Sequence, residues 1–418
     1  MIDFEKYHLP NGLRVILHRD TTTPMVVVNV MYDVGSRDEN PQKTGFAHLF
    51  EHLMFGGSLN VPEYDRVVQK AGGENNAFTN NDITNYYVSL PAENLEAALW
   101  IESDRMLELA FSEKSLEVQR NVVVEEFNQR YLNQPYGDAM LLLRELAYRV
   151  HPYQWNTIGK KPEHIRQASL KEVKEFFYSH YAPNNAVLVI AGNFEPDNTH
   201  RLIEKWFGSI GSRDVSPRNI VQEPVQTEAR SLSVDRDVPQ NALYKAYHMV
   251  NRLHPDYYAT DLISDILSNG RSSWFFEKLI KEQHLFSEVD AYIVGSIDPG
   301  LFIISGKPLP DRSYPECETA IEQLLQRITT GDFTDRELEK VKNRCIAARK
   351  LEWAGALNKA IDLAYFEILG DASMMNEEED KYRNVNRDQI VRVAQSLFDK
   401  KNCSTLYYNK KNPHEPLP

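Results

Sequence analysis

His48, Glu51 and His52 stand together in the stretch Gly45-Phe46-Ala47-His48-Leu49-Phe50-Glu51-His52-Leu53-Met54-Phe55-Gly56-Gly57. Residues four apart in a helix lie one turn apart on the same face, so the two imidazoles project side by side. Imidazole nitrogen is a good zinc donor. Glu51 lies one residue before His52 and three after His48, close enough to take a proton from a water held between the rings. The chemistry this permits is metal-assisted hydrolysis, in which an ion polarises a carbonyl and acidifies the attacking water. The polar trio is set among Phe46, Leu49, Phe50, Leu53 and Met54, which recur at helical spacing until Gly56-Gly57 ends the run. That surrounding is wrong for a solvated face, because ionisable groups among large apolar residues need partners.

A tetrahedral catalytic zinc takes three protein donors and leaves a fourth position open. The third donor is expected from Gln119-Arg120-Asn121-Val122-Val123-Val124-Glu125-Glu126-Phe127. Glu126 shares a helical face with Val122 and Val123, and Glu125 shares one with Val118 and Val122. Periodicity leaves both carboxylates open.

The elements that must position these groups repeat. At 418 residues the chain is too long for one ordinary core. Strands are expected at 13–18, 25–32, 75–79, 86–90 and 186–191, the third and fourth joined by the turn Asn80-Asn81-Asp82. Helices are expected at 63–71, 95–109, 112–132, 136–148, 170–181 and 198–207. Polar, proline-containing residues at 212–228 read as a linker. The order then recurs, with strands at 231–234, 242–249, 289–294, 301–305 and 404–408. Helices are expected at 256–267, 273–282, 314–328 and 335–356. The expectation is an α+β fold of two similar domains, 1–211 and 229–418, each a mainly antiparallel sheet packed with helices. The second-half helix at the place of the metal helix, beginning Asp256-Tyr257-Tyr258-Ala259, has no His/Glu pair, so one metal ion per chain is expected.

Composition narrows the partners. A formal charge of −13 argues against nucleic acid and leaves basic peptides as ligands. Cys317, Cys345 and Cys403 lack close metal-ligand spacing and are odd in number, so they read as reduced thiols. No stretch has the length and apolarity of a membrane span. Met1-Ile2-Asp3-Phe4-Glu5-Lys6 is not a secretory signal, which gives the expectation of a soluble, cytoplasmic or periplasmic protein.

His48-Leu-Phe-Glu-His52 is the inverted order of the His-Glu-x-x-His metallopeptidase signature. Together with Arg120-Asn-Val-Val-Val-Glu-Glu126 it resembles the pitrilysin-like zinc peptidases, within them the short bacterial branch related to mitochondrial processing peptidase. Asn76-Ala77-Phe78-Thr79-Asn80-Asn81-Asp82-Ile83-Thr84-Asn85-Tyr86 matches a further stretch of that family. Weaker matches fall at Leu9–Leu13, His151-Pro152-Tyr153, Tyr181–Asn185 and Gly270-Arg271-Ser272-Ser273.

The resemblance implies a zinc endopeptidase with His48, His52 and Glu126 as metal ligands and Glu51 as the catalytic base. Glu126 is chosen over Glu125 because the family's ligand lies six residues after the basic residue, here Arg120. A second family glutamate, seven before the ligand, is Gln119 in this chain, a departure. Substrate is expected to add as a strand beside Asn76 and Ala77, with Phe78 and Phe55 lining an apolar pocket. The family's arginine and tyrosine from the C-terminal half are expected between Pro299 and Tyr314, yet the strand Gly300-Leu301-Phe302-Ile303-Ile304 holds neither. That absence implies a dimer, either with a related subunit carrying the Arg/Tyr pair or with a second copy, enclosing a chamber that admits peptides or unfolded segments. Relatives of the fold also serve as non-catalytic scaffold subunits, but these usually lose a metal ligand, and this chain keeps the set.

Overall fold

The apolar run Met25–Tyr32 becomes an interior strand covered on both faces, which is why it carries so little alternation. The computed structural model describes residues 1–215 and 217–411. In chain order the first half forms β1 (Glu5–His8), β2 (Arg14–Arg19), β3 (Met25–Tyr32), α1 (Phe46–Leu53), α2 (Tyr64–Lys70), β4 (Glu74–Thr79) and β5 (Thr84–Pro91). It continues with α3 (Leu95–Leu107), α4 (Glu113–Phe127), α5 (Ala139–Ala147), α6 (Pro162–Arg166), α7 (Leu170–His180), β6 (Ala186–Gly192) and α8 (Pro196–Phe207). The second half forms β7 (Arg230–Arg236), β8 (Ala242–His248), α9 (Tyr257–Ser268), a π-helix (Phe275–Glu282), β9 (Phe286–Val294) and β10 (Leu301–Pro308). It ends with α10 (Tyr314–Thr329), α11 (Asp335–Glu352), α12 (Ala356–Leu369), α13 (Glu378–Asn384), α14 (Arg387–Leu397) and β11 (Cys403–Lys410).

Two sheets result, ordered β1-β2-β6-β3-β5-β4 and β7-β11-β8-β10-β9. Each has one parallel pair, β2 with β6 and β7 with β11. All other neighbours are antiparallel. Strand for strand, β2-β6-β3-β5-β4 matches β7-β11-β8-β10-β9 in order and direction, and β1 is an addition. The fold is therefore a duplicated α+β unit. β1 escapes the sequence reading because it is a four-residue edge strand with mostly exposed side chains.

The expected contiguous domains, 1–211 and 229–418, need correction. One compact unit comprises 1–128, 155–220 and 349–377, and the other 129–154, 221–348 and 378–418. Each half sends one helix to the other's sheet. α12 packs on β2, β3 and β6 with Ala360, Leu363 and Ala364 fully buried. It is fastened by ion pairs Lys359–Asp20 (3.1 Å) and Lys6–Glu367 (3.0 Å), and Arg14 Nη1 donates to the Glu367 carbonyl (3.4 Å). In the other unit α5 packs Ala139, Leu143 and Ala147 against Ala242, Ala246, Leu301, Ile303, Leu406 and Tyr408. The two helices hold equivalent places, each following the long helix of its half. The physical reason is burial: a sheet apolar on both faces needs a second helical cover, and local pattern does not say which part of the chain supplies it. α12, α13 and α14 were all absent from the sequence expectation.

The described residues of 212–228 contain no helix or strand, as their composition predicts, and the chain passes between units at Ile220–Val221. They are nevertheless pinned. Arg213 donates to the carbonyls of Tyr181 (2.5 Å), Met106 (3.0 Å) and Leu107 (2.7 Å) in the first unit. Gln226 donates to those of Glu228 (3.0 Å), Lys401 (2.9 Å) and Cys403 (2.9 Å) in the second. Ser216 of the expected linker and residues 412–418 of the expected second domain lie outside the described residues. Among the described residues no helix is long and apolar enough to cross a membrane.

A fragment ending at Ile220 keeps every strand of the first sheet but lacks α12, and so bares the apolar face of β2, β6 and β3. It is expected to show no cooperative thermal transition by circular dichroism; a sharp two-state melt would show that α12 is dispensable. In the full chain Leu363→Ala should lower the denaturant-derived unfolding free energy by about 2–5 kcal/mol.

Candidate metal centre

α1 is only eight residues long, and a helix that short does not hold itself. Its first turn lacks a Ser, Thr, Asp or Asn cap; Gly45 occupies that place with φ 96°. A Cβ on Gly45 would come within 2.6 Å of the Ile158 carbonyl oxygen, so both the turn and the close approach require glycine. The cap comes from a distance. Glu39, buried, accepts the N–H groups of Gly45 (2.8 Å) and Ala47 (2.9 Å) and the indole N–H of Trp155 (3.0 Å). Burial pushes the Glu39 carboxyl up to about 8, against these three donors, which favour the anion. Thr44, just before the helix, donates its N–H to His164 Nδ1 (3.1 Å) and accepts the Lys160 N–H at its hydroxyl (2.8 Å).

The apolar side of α1 is held by aromatic packing: Phe50 stacks on Phe176 (5.3 Å between centroids) and on Tyr181 (5.0 Å). Beyond the helix end, Phe55 meets Tyr64 edge-on at 5.5 Å. Behind it the buried Arg105 guanidinium lies 4.5 Å from the Tyr64 centroid and 4.4 Å from that of Tyr86, and pairs with Glu102. α4 starts at the Ser112 cap, which accepts the Ser115 N–H. Arg120 ties α4 down by donating to the carbonyls of Arg166 (3.3 Å) and Ala168 (3.0 Å).

These supports bring three donors together. Glu126 Oε2 lies 3.2 Å from His48 Nε2 and 3.3 Å from His52 Nε2. The imidazole rings stand 4.9 Å apart and nearly perpendicular, and one ligand atom from each residue falls within 4.8 Å of the others. Donors at zinc distances of about 2.0–2.1 Å in a tetrahedron are about 3.3–3.4 Å apart, so the two sides that meet at Glu126 have the right length, and the donors the right nitrogen and oxygen chemistry. It is the only such group of His, Cys, Asp and Glu among the described residues. Glu125 is exposed, and it is Glu126 that groups with the two histidines. Gln119 lies seven residues before Glu126 on α4, half-buried.

Burial favours neutral His48, but hydrogen bonds to Glu126 and Glu51 outweigh it and hold the imidazole up to about 9. Burial likewise disfavours charge on Glu51, and contact with His48 outweighs it, keeping the carboxyl below its ordinary value and ionised at neutral pH. Glu51 Oε2 lies 3.4 Å from His48 Nδ1, on the side of the ring away from Glu126.

β4 is the free edge of the first sheet and passes beside α1. Thr79 lies against the Glu51 carboxyl, so Thr79 and Ala77 face the helix while Asn76 and Phe78 face the other way. The pairing agrees: Ala77 opposes Tyr86, which touches Phe55, whereas Phe78 opposes Asn85. The pocket expected from Phe55 and Phe78 together is therefore corrected, because strand alternation sends the two rings to opposite faces. Asn76 is exposed and its Oδ1 accepts the Ala77 N–H (2.9 Å). The segment Pro299–Tyr314 contains Arg312, paired with Glu316 (2.9 Å), and Tyr314, which donates to the Ala242 and Tyr408 carbonyls. In the second unit the helices equivalent to α1 and α4 carry Asp265 and Cys345, joined by a thiol hydrogen bond of 3.1 Å, in place of a metal-type triangle.

Glu39, Trp155, Arg105 and Arg120 were not singled out as supports from sequence. A glycine opening an apolar helical run without a capping side chain was the available signal that an acceptor must arrive from elsewhere.

Because His48 is held near 9, the metal-free protein keeps this imidazole protonated at neutral pH. A cation must displace that proton, so apparent zinc affinity should rise with pH until about 9 and level off above it. Titration calorimetry at pH 7 in buffers of different ionisation enthalpy should show close to one proton released per zinc. Uptake without proton release would contradict a charged His48.

Residues 14–160 match the model described as insulinase (peptidase family M16), and residues 167–345 match the model described as the peptidase M16 inactive domain. The chain is 29% identical to a zinc protease of Helicobacter pylori, PqqE, over 96% of this chain and 92% of that protein. It is 25% identical to YmxG of Bacillus subtilis, named an uncharacterized zinc protease, over 94% and 95%. The crystal structure of a protease from Helicobacter pylori superposes with a TM-score of 0.93 at 29% identity, covering 98% of this chain and all of that one. Pitrilysin shares the fold at TM-score 0.78 and 17% identity, this chain spanning 45% of its length. The first of these matches covers His48, His52 and Glu126, the inactive-domain match covers none of the three, and the chain belongs to the insulinase and pitrilysin-like peptidases, family M16.

Proposed function

We propose that the chain is a zinc-dependent endopeptidase acting on extended peptides, with His48, His52 and Glu126 holding the ion. The observation that carries this reading is the donor triangle, whose 3.2 and 3.3 Å sides match a tetrahedral zinc. The names of the relatives, zinc proteases, support the same metal and reaction class. When bound, the ion supplies Lewis acidity to the scissile carbonyl and lowers the pKa of a water.

The chain's own groups do the rest. Glu51, ionised at neutral pH, removes a proton from the attacking water at its carboxylate oxygen and returns it to the leaving amine nitrogen. β4 offers the unpaired N–H and C=O groups of a sheet edge, on which an extended peptide satisfies its backbone beside Glu51. Side chains of such a peptide would alternate between the α1 side, where Ala77 and Thr79 lie, and the side of Asn76 and Phe78. A segment that docks there must be extended and free of other pairing, which favours peptides and unfolded segments as the substrate class.

The contact between Glu51 and His48 Nδ1 favours a second role for the same carboxylate, orienting the imidazole. One variant separates them. As the base, Glu51→Gln should abolish peptide cleavage with zinc still bound one to one. As an orienting partner only, it should weaken zinc binding about 10–100-fold and leave turnover in saturating zinc. Chelation should remove activity and added zinc restore it; cleavage that persists in metal-free protein would reject the reading.

A further inference from the structure

Glu39 is nine residues before His48, makes its hydrogen bonds to Gly45, Ala47 and Trp155 and to none of the three donors of the triangle, and is almost wholly buried. Its carboxylate takes the N–H of Ala47, the residue immediately before His48, and that of Gly45, which opens the helix. Its third donor, Trp155, is itself fixed by a bond to the Ser36 carbonyl (3.0 Å), so the acceptor is anchored to two separate parts of the chain. The first turn of α1 has no other side-chain cap. The helix is too short to average out an error at its start, and His48 is its third residue.

We propose that Glu39, braced by Trp155, is a positioning residue for the metal centre: it fixes the first turn of α1 and thereby the direction in which His48 Nε2 faces Glu126. The inference rests on the proposed zinc site, and it adds a residue that acts on the site only through the backbone. Loss of the carboxylate leaves two helix N–H groups and an indole N–H competing for a poorer acceptor. The first turn then frays, and the imidazole loses its register with Glu126.

The test uses the full chain with Glu39→Gln, Trp155→Phe and, as a buried-carboxylate control in the other unit, Glu378→Gln. Glu378 accepts from Arg252 and Tyr258 there. Zinc affinity is measured by chelator competition, ligand geometry by the visible spectrum of the Co2+-substituted protein, and turnover on a peptide as kcat and KM. Expected for Glu39→Gln is zinc binding weakened about tenfold or more, a changed cobalt spectrum and lower kcat at unchanged KM, with Glu378→Gln losing only thermal stability. Wild-type affinity, spectrum and kcat in a folded Glu39→Gln protein would overturn the proposal and leave Glu39 a fold-stabilising residue. If Glu39→Gln does not fold, Trp155→Phe decides: a weakened site supports the brace, and an unchanged one overturns it. A wild-type chain that binds no zinc would instead sink the metal site itself, a result read before any variant is compared.

Discussion

Three donors from two helices must meet within tenths of an ångström for one cation to bind all of them. That requirement governs the first unit. Glu126 stands between the two imidazoles, and in the absence of an ion the arrangement is already satisfied electrically: a protonated His48 lies between the carboxylates of Glu126 and Glu51. A proton thus occupies, in charge terms, the position a divalent ion would take.

The supports around the triangle follow from the brevity of α1. Its start is held by the buried Glu39 carboxylate, its apolar side by the Phe50–Phe176–Tyr181 stack, and the segment beyond its end by Phe55 against Tyr64 and Arg105. Arg105 is a buried cation with a carboxylate partner and two aromatic faces, which keeps the cost of its burial low. On the other side Arg120 ties α4 to the backbone around α6. Each contact is modest, but all constrain the same few atoms.

Much of this was legible in the sequence, and the limits have physical causes. The i, i+4 histidines and the apolar stripe of α1 are local patterns, and the helix forms where they place it. The choice between Glu125 and Glu126 was not local, because it depends on which side of α4 faces α1; only the neighbouring helix turns Glu126 inward and leaves Glu125 in solvent. Phe55 and Phe78 were paired on chemistry alone, while the alternation of β4 separates them. Glu39 could not be assigned because its bonds close a loop rather than repeat along a helix. The exchange of α5 and α12 was invisible for the same reason: an apolar helix face records that it will be buried, not on which sheet.

That exchange has a consequence for how the chain is made. The last strand of the first sheet ends at Gly192, but the helix that covers its second face ends at Leu369. A ribosome adding residues at about 5–20 per second needs roughly 10–35 s to cover that interval. Through it the nascent first half exposes an apolar sheet face. Completion of the site is thus timed by the synthesis of a helix that contributes no donor to it.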